Sequence, residues 1–165
     1  PQASLDRVQA TVAERTGKRI HWNRGGVEDA QIEQGVQTVL RRELTADRAV
    51  QVALLSNREL QARFEEIGIA QADVIQAGLI SNPNFAGSFR FPDRPPSGTN
   101  IEYSIAQKFL DLLVLPLRKP IAAGQLAQTE THVADEVLKL AAEVKIAFYT
   151  VQARQQLLDR LRVTP

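Results

Sequence analysis

His132 and Glu136 are the residues whose types and spacing come closest to a chemical site. Residues four apart share one face of a helix, so an imidazole and a carboxylate at this spacing can supply two ligands to zinc. Glu130 and Asp135 are nearby, but no third ligand is evident in the sequence, and His21 is distant. A solvated helix face carries the same residue types. The pattern therefore favours a charged helix surface, and we expect no metal or other cofactor.

Other patterns that carry chemistry are absent from the sequence. There is no cysteine, which excludes a disulfide framework, a thiol nucleophile and a cysteine metal site. No phosphate-binding loop or Gly-x-Ser-x-Gly elbow occurs, and Glu65 and Glu66 fall on an amphipathic stretch where carboxylates usually serve solvation. The formal charge is +1 without a basic block, which argues against nucleic acid as a partner. We expect a protein that is not an enzyme.

Two short helices and an extended stretch are predicted at the start of the chain. Residues 4–16 predict a helix with Ser4 as its N-cap, and residues 28–42 predict the second helix. Between them, residues 18–23 read as a short extended stretch that holds the only tryptophan.

Two further helices follow from capping and periodicity. Thr45 gives a clean helix start, and Asn57 can cap the next helix, which we expect over residues 58–79. Gly68 and Gly78 fall inside that expected helix. Glycine costs roughly 1 kcal/mol relative to alanine in a helix interior. We therefore interpret both as places where another helix approaches closely.

The hydrophobic period changes from 3.6 to 2 after Asn82-Pro83, which predicts a β-hairpin. Two alternating runs flank residues 92–98, a dense turn-forming loop. In both runs, large apolar residues alternate with residues that are mostly small or polar. The large apolar set is Phe85, Phe89, Phe91, Ile101, Tyr103 and Ile105.

Two interpretations of this aromatic face stay open. It can pack on helices, or it can face lipid as part of a membrane barrel, with the small or polar face toward a lumen. Each predicted strand has about 8 to 10 residues, close to the roughly 9–11 of a tilted membrane strand. Two strands cannot close a barrel, so the membrane interpretation requires further copies. No apolar run of about 18 residues occurs, which argues against a transmembrane helix.

A long helix is predicted from about Ile121 to the end of the sequence, with Pro116 and Pro120 marking a bend before it. Some 40 residues at 1.5 Å each give roughly 60 Å, more than a globular domain of this size needs. We expect its apolar stripe, which approximates a heptad pattern, to fold back on residues 58–79 or to self-associate. The stripe comprises Val133, Val137, Leu140, Val144, Phe148, Val151, Leu158 and Leu161.

Several segments occur in a recognisable order along the chain. They are Arg15-Thr16-Gly17 with Ile20-His21-Trp22-Asn23, then residues 44–54, 57–62, 67–73 and 76–83, and finally Ala147-Phe148-Tyr149 in the long helix. This ordered set resembles the TolC family of outer-membrane efflux channels. The closest likeness is to the branch that serves heavy-metal and related pumps of the resistance–nodulation–division type.

The resemblance implies a mainly α fold with long antiparallel coiled-coil-like helices and one β-hairpin, as part of an α-barrel and β-barrel channel protomer. Family members are homotrimers with a shared twelve-stranded barrel. Their helices form a passive tunnel across the periplasm that meets an adaptor protein and an inner-membrane pump. The implied domains are 1–44 as a leader, 45–82 as first channel helices, 83–108 as the membrane hairpin and 109–165 as a truncated long channel helix.

On this resemblance, the chain is expected to be an incomplete first repeat in the outer membrane, in contact with its lipid and extending into the periplasm. The gating and docking tip would lie beyond residue 165, so we expect no ion conductance from this chain in planar bilayers. The exported substrate, a metal ion or a drug, stays open. The alternative is a soluble periplasmic coiled-coil adaptor or interaction module.

Overall fold

The computed structural model describes residues 2–91 and 100–163. Within them the chain forms five α-helices and a two-stranded antiparallel sheet, so the expected mainly α fold with one hairpin is confirmed. The loop predicted for residues 92–98 lies outside the described residues. The elements are α1 (Gln2–Thr16), α2 (Val27–Leu40), α3 (Ala46–Ser56), α4 (Arg58–Ala77), β1 (Asn84–Arg90), β2 (Asn100–Ala106) and α5 (Leu110–Val163).

The described residues divide into two compact units. Unit 1 lies within Pro1–Gln71 and Gln125–Pro165, and unit 2 is Ala72–Gly124. Unit 1 therefore contains α1, α2, α3, most of α4 and the C-terminal part of α5, whereas unit 2 contains the hairpin with the helix ends next to it.

The starts of α3 and α4 follow the predicted capping. The side chain of Thr45 accepts a hydrogen bond from the backbone N–H of Arg48 at 3.3 Å. The side-chain oxygen of Asn57 accepts one from the N–H of Leu60 at 3.0 Å. Both predicted caps are confirmed, because each satisfies an N–H group that the first helical turn leaves unpaired.

Unit 1 is built around one apolar core to which α1, α3, α4 and α5 contribute. The first half of the predicted stripe on α5 folds back into this core, whereas Val151, Leu158 and Leu161 are more than half exposed. The buried members are Val8, Val12, Ile20, Trp22, Val50, Leu54, Leu60, Phe64, Ile67, Val133, Ala134, Val137 and Ala141.

Carboxamides from three helices hold the extended stretch of residues 18–23 against this core. Each glutamine accepts a hydrogen bond from a backbone N–H and donates one to a backbone C=O, as a neighbouring strand would. Gln9 pairs with Ile20 and Lys18, Gln51 with both groups of Arg19, and Gln61 with Asn23 and His21, at 2.7 to 3.2 Å.

The two glycines expected at helix–helix contacts have other roles, so that interpretation is wrong. A Cβ atom on Gly68 would lie 3.2 Å from Cη2 of Trp22, so this glycine makes room for an indole ring from the extended stretch. Gly78 lies beyond the end of α4 at Ala77, where its N–H donates to the carbonyl of Ile75 at 3.0 Å. It belongs to the turn after the helix.

The long helix begins earlier than expected. α5 starts at Leu110 rather than near Ile121, and Pro116 and Pro120 both lie inside it. Each proline lacks the N–H that would donate to the carbonyl four residues earlier. Helix propensity does not explain this continuation, because an interior proline costs about 3 kcal/mol and leucine is no better than alanine.

A charged pair joins α1 to α5 inside unit 1. Arg7 donates from Nε and Nη2 to the carboxylate of Glu130, with Nε 2.8 Å from Oε2, and Glu130 is only 8% exposed. Ser4 is not the predicted N-cap. It lies buried inside α1, where its hydroxyl accepts hydrogen bonds from Arg7 at 3.1 Å and from Gln71 at 2.5 Å. A contact with another helix replaces the predicted local role.

Replacing Glu130 with glutamine is expected to change the acid sensitivity of unit 1. Burial alone would raise the pKa of Glu130, but hydrogen bonds from Arg7 and Ser4 and the charge of Arg7 together lower it. Such a carboxylate stabilises the fold above its ordinary pKa of about 4.3, and this stabilisation is lost as the pH falls through the lower folded pKa. Glu130→Gln should therefore be less stable near neutral pH and lose less stability than wild type on acidification below about pH 4.3.

Urea midpoints followed by Trp22 fluorescence across this pH range measure the effect, since Trp22 lies in the same core. The control is Glu143→Gln, at an exposed position of α5 that has no ion pair among the described residues. It should keep the wild-type pH dependence. If the stability of Glu130→Gln fell with acidification as steeply as that of wild type, Glu130 would not be the group that makes stability depend on pH.

Candidate functional site

One face of the hairpin carries its large apolar side chains. Residues directly opposite each other in an antiparallel pair share a face, so the register places five of the six predicted site residues together. Phe85 lies opposite Ile105, Gly87 opposite Tyr103, and Phe89 opposite Ile101. The sixth, Phe91, follows the last residue of β1.

Tyr103 occupies the space that Gly87 leaves open. A Cβ atom on Gly87 would be 3.5 Å from Cδ1 of Tyr103. The tyrosine ring meets the ring of Phe89 edge to face, with centroids 6.3 Å apart and planes at 87°. This geometry is favourable for aromatic pairs and forms a continuous aromatic surface across the two strands.

The opposite face of the hairpin carries small and polar residues. Ser88 lies opposite Glu102, and Ala86 lies opposite Ser104. The alternation expected from the sequence is therefore present in the folded sheet, with one apolar and one hydrophilic face. The strands have seven residues each, slightly fewer than predicted.

The apolar face is open to solvent. The five side chains on it are between 51% and 76% exposed, and Phe91 is 73% exposed. Among the described residues of unit 2, Ala122 is the only buried one. An isolated two-stranded hairpin is at best marginally stable in water, and contiguous exposed apolar surface marks an interaction site. We therefore expect this apolar face to be covered by an interaction with another surface.

Hydrogen bonds fix the base of the hairpin to α5. Ser81, just before β1, donates its hydroxyl to Asp111 in the first turn of α5, and Arg118 contacts the same carboxylate at 3.1 Å. Gln107, just after β2, donates to the carbonyl of Ser81 at 2.9 Å. The hydrogen bond from Ser81 and the proximity of Arg118 lower the pKa of Asp111, although burial opposes them. The two strand ends are thus held by one polar cluster.

The two candidate zinc ligands on α5 are not brought to a shared site. His132 is exposed, and Glu136 lies 3.8 Å from Lys139. The nearby Glu130 is buried against Arg7. Within residues 2–91 and 100–163, no group of three or more histidine or acidic side chains could hold a metal ion.

The structure pairs His21 with Asp29, a contact that was not predicted from the sequence. His21 Nε2 lies 2.5 Å from Asp29 Oδ1, and Asp29 Oδ2 accepts from the backbone N–H groups of Arg24 and Gly26. The hydrogen bond from His21, and then these backbone groups, lower the pKa of Asp29 against the effect of burial. The pair fastens the start of α2 to the extended stretch, which is a structural use of both side chains. The signal for this contact in the sequence is Asp29, because an acidic residue three positions after Gly26 fits a capping pattern at the start of a helix.

No helix among the described residues is both long and apolar enough to cross a bilayer. Comparisons of the chain with protein-family models, with curated proteins and with solved structures find no match. The arrangement of the hairpin is therefore the main structural basis for a functional proposal.

Proposed function

We propose that this chain is part of an outer-membrane efflux channel of the TolC family, in which the hairpin contributes two barrel strands. The observation that carries the proposal is the in-register hairpin with aromatic and aliphatic side chains exposed on one face and small or polar ones on the other. Lipid-facing and lumen-facing residues alternate in this way along barrel strands.

Strand edges support an assembly of several hairpins. Among the described residues, β1 pairs only with β2, so each strand keeps one unpaired edge. Unpaired backbone groups cannot be left inside a bilayer, and closure with further strands satisfies them. The proposed assembly is a homotrimer in which each whole protomer gives four strands to one twelve-stranded barrel, as the resemblance implies, and this hairpin supplies two of those four.

The paired strands are shorter than a membrane-spanning strand, but a flanking residue extends their apolar surface. Seven paired residues are fewer than the about 9–11 that a tilted strand needs to cross the hydrocarbon core. Phe91 continues the alternation beyond β1, so the apolar surface is longer than the paired region. In the proposed channel the helices form the periplasmic tunnel wall, which meets an adaptor and an inner-membrane pump. Transport through it is passive, without a catalytic step.

Site-directed spin labelling tests the proposal. The chain has no cysteine, so single labels can be placed without background. In vesicles of phosphatidylethanolamine and phosphatidylglycerol, labels on the apolar face should collide mainly with oxygen, which partitions into lipid. Labels on the opposite face should collide mainly with a water-soluble nickel chelate. The two matched sets are Phe85→Cys, Phe89→Cys and Ile105→Cys, and Ala86→Cys, Ser88→Cys and Ser104→Cys.

The outcomes separate the channel from the alternative, a soluble periplasmic adaptor. Nickel-chelate access to labels on both faces in the presence of vesicles would overturn the membrane assignment. Protection of the apolar-face labels from both reagents would place that face against protein, as an adaptor requires.

A further inference from the structure

The extended stretch between α1 and α2 has a gap in the hydrogen bonds along one of its edges. In an extended chain, the backbone groups of alternate residues point to the same edge. Gln51 and Gln61 bind groups of the odd-numbered residues, which lie on one edge. We call the opposite edge, formed by residues 18, 20, 22 and 24, the even edge.

The even edge is paired at both ends and open in the middle. Gln9 binds two neighbouring groups at its start, at 3.2 and 2.8 Å. Asp29 accepts a hydrogen bond from the N–H of Arg24 at its end, at 3.0 Å. Between them, the carbonyl of Ile20 and both backbone groups of Trp22 have no hydrogen-bond partner among the described residues.

A cleft of about 510 Å³ lies beside this gap. Its walls come from α1, the extended stretch and the start of α2, so it is formed entirely within unit 1. Gln9 and Asp29, which bind the even edge on the two sides of the gap, both line the cleft, as do Ile20 and Trp22. The gap therefore borders the cleft. Ligand sites commonly measure about 300–1,000 Å³, so the volume admits a short peptide.

Two carboxylates at the cleft have no cationic partner among the described residues. The carboxylate of Glu28 makes no ion pair or hydrogen bond there, and that of Asp6 accepts only from the side-chain amide of Gln2, at 3.4 Å. The basic side chains that line the cleft, His21 and Arg24, are already in contact with other residues of unit 1. A ligand with a basic side chain would therefore complement the charge of the cleft.

We propose that this cleft binds an extended peptide of a partner protein, which adds a strand to the even edge and places a lysine or arginine beside Asp6 and Glu28. Gln9 and Gln61 show the chemistry that is required. Each accepts from an N–H of the stretch and donates to the carbonyl two residues earlier. A peptide backbone has the same donors and acceptors, so it can fill the gap in the same way. Strand addition to an open edge is a recurring mode of peptide recognition.

A permanently bound segment of the same polypeptide, from outside the 165 residues, fits the cleft less well. Contacts within a folded chain are stabilised mainly by apolar burial. The apolar side chains of Ile20 and Trp22 are already buried in the core without any occupant, and among the described lining residues Val27 alone is a large, exposed apolar one. The cleft instead offers hydrogen bonds and charge, which suit a reversible partner.

Hydrogen exchange followed by NMR tests the inference on the full 165-residue chain. The probe is an acetylated and amidated peptide, Ser-Val-Thr-Lys-Thr-Val-Ser. At a peptide concentration about ten times the dissociation constant, exchange of the Trp22 N–H should slow about tenfold. The N–H of Asn23, which Gln61 binds on the other edge, should exchange as before.

Methylating one peptide amide at a time tests strand addition without changing the protein. Alternate amides of an extended peptide face the neighbouring strand. Methylation should therefore weaken binding about fivefold at every second central position and have little effect at the positions between them. Equal effects at all central positions would overturn strand addition as the mode of binding.

Charge changes test the preference for a basic peptide. Replacing the peptide's lysine with glutamate should weaken binding at least about tenfold. Glu28→Lys should remove most of this difference. Glu33→Lys makes the same change on the same helix outside the cleft and should keep it. If the two variants discriminated equally between the peptides, the cleft would not select a basic side chain.

Other occupants give different results. Unchanged Trp22 exchange at saturating peptide would show that the open groups are only hydrated, which would overturn the inference. Slower Trp22 exchange at higher protein concentration, without peptide, would assign the cleft to a second copy. Peptide binding that a longer form of the same protein lacks would assign the cleft to a segment of the chain itself. These measurements need no bilayer, so their failure is distinguishable from failure of the channel proposal.

Discussion

Replacing Phe64 with alanine is expected to destabilise unit 1 by about 3–5 kcal/mol. Phe64 lies in the middle of α4 and is completely buried in the core shared with α1, α3 and α5. Its removal takes a large apolar side chain out of the core and leaves a cavity that neighbours on three other helices fill only in part. Folded domains are stable by about 5–15 kcal/mol in total, so the loss is a large share.

Urea unfolding measures this change through two probes. Trp22, the only tryptophan, reports on the same core, and circular dichroism reports on the helices. The matched control is Ile69→Ala on the same helix, where the side chain is 63% exposed. That change should remain within about 0.5–1 kcal/mol. Similar effects of the two substitutions would show that α4 does not bury the face that the structure assigns to the core.

Features fixed by neighbouring residues could be predicted from the sequence. Thr45 and Asn57 cap helices through N–H groups three residues away, so their roles are visible in a short window. The two faces of the hairpin follow in the same way, because alternation assigns every side chain to one of them. Phe85 and Ile105 therefore share the predicted apolar face, whereas their position directly opposite each other comes from the structure.

Features fixed by distant residues could not be predicted. Ser4 looks like an N-cap locally, yet its hydroxyl is bound by Gln71 from another helix. Glu130 lies close in sequence to the two candidate metal ligands His132 and Glu136, but Arg7, 123 positions away, pairs with it. A single sequence contains no signal that brings such residues together, and tertiary contacts override local preference.

The start of α5 shows how two local rules compete. Pro116 and Pro120 predicted a bend ahead of the long helix, because proline removes a helical hydrogen bond. The leucines around them favour the helix, and the structure continues it through both prolines from Leu110. An interior proline costs about 3 kcal/mol, which the propensity of neighbouring leucines does not offset, so neither local rule explains why the helix continues.

Replacing Trp22 with alanine should destabilise unit 1 as strongly as Phe64→Ala does, by roughly 3–5 kcal/mol. The indole ring is 7% exposed in the core, and its Nε1 donates to Glu65 at 2.8 Å. The guanidinium of Arg24 lies 4.0 Å above the ring, where a cation–π contact adds to the burial. Because this variant has no tryptophan, its urea unfolding is followed by circular dichroism.

The position of the ring also determines how Gly68 responds to substitution. In wild type, Gly68→Ala should be destabilising, because the new Cβ would lie 3.2 Å from Cη2 of an indole held in place by Glu65. With Trp22→Ala the obstacle is gone, and the same substitution should gain about 1 kcal/mol from helix propensity. Gly35→Ala, in a helix with open space around it, should show that gain in both backgrounds. If Gly68→Ala stabilised wild type as much as Gly35→Ala, the indole would be free to move aside and the close contact would impose no constraint.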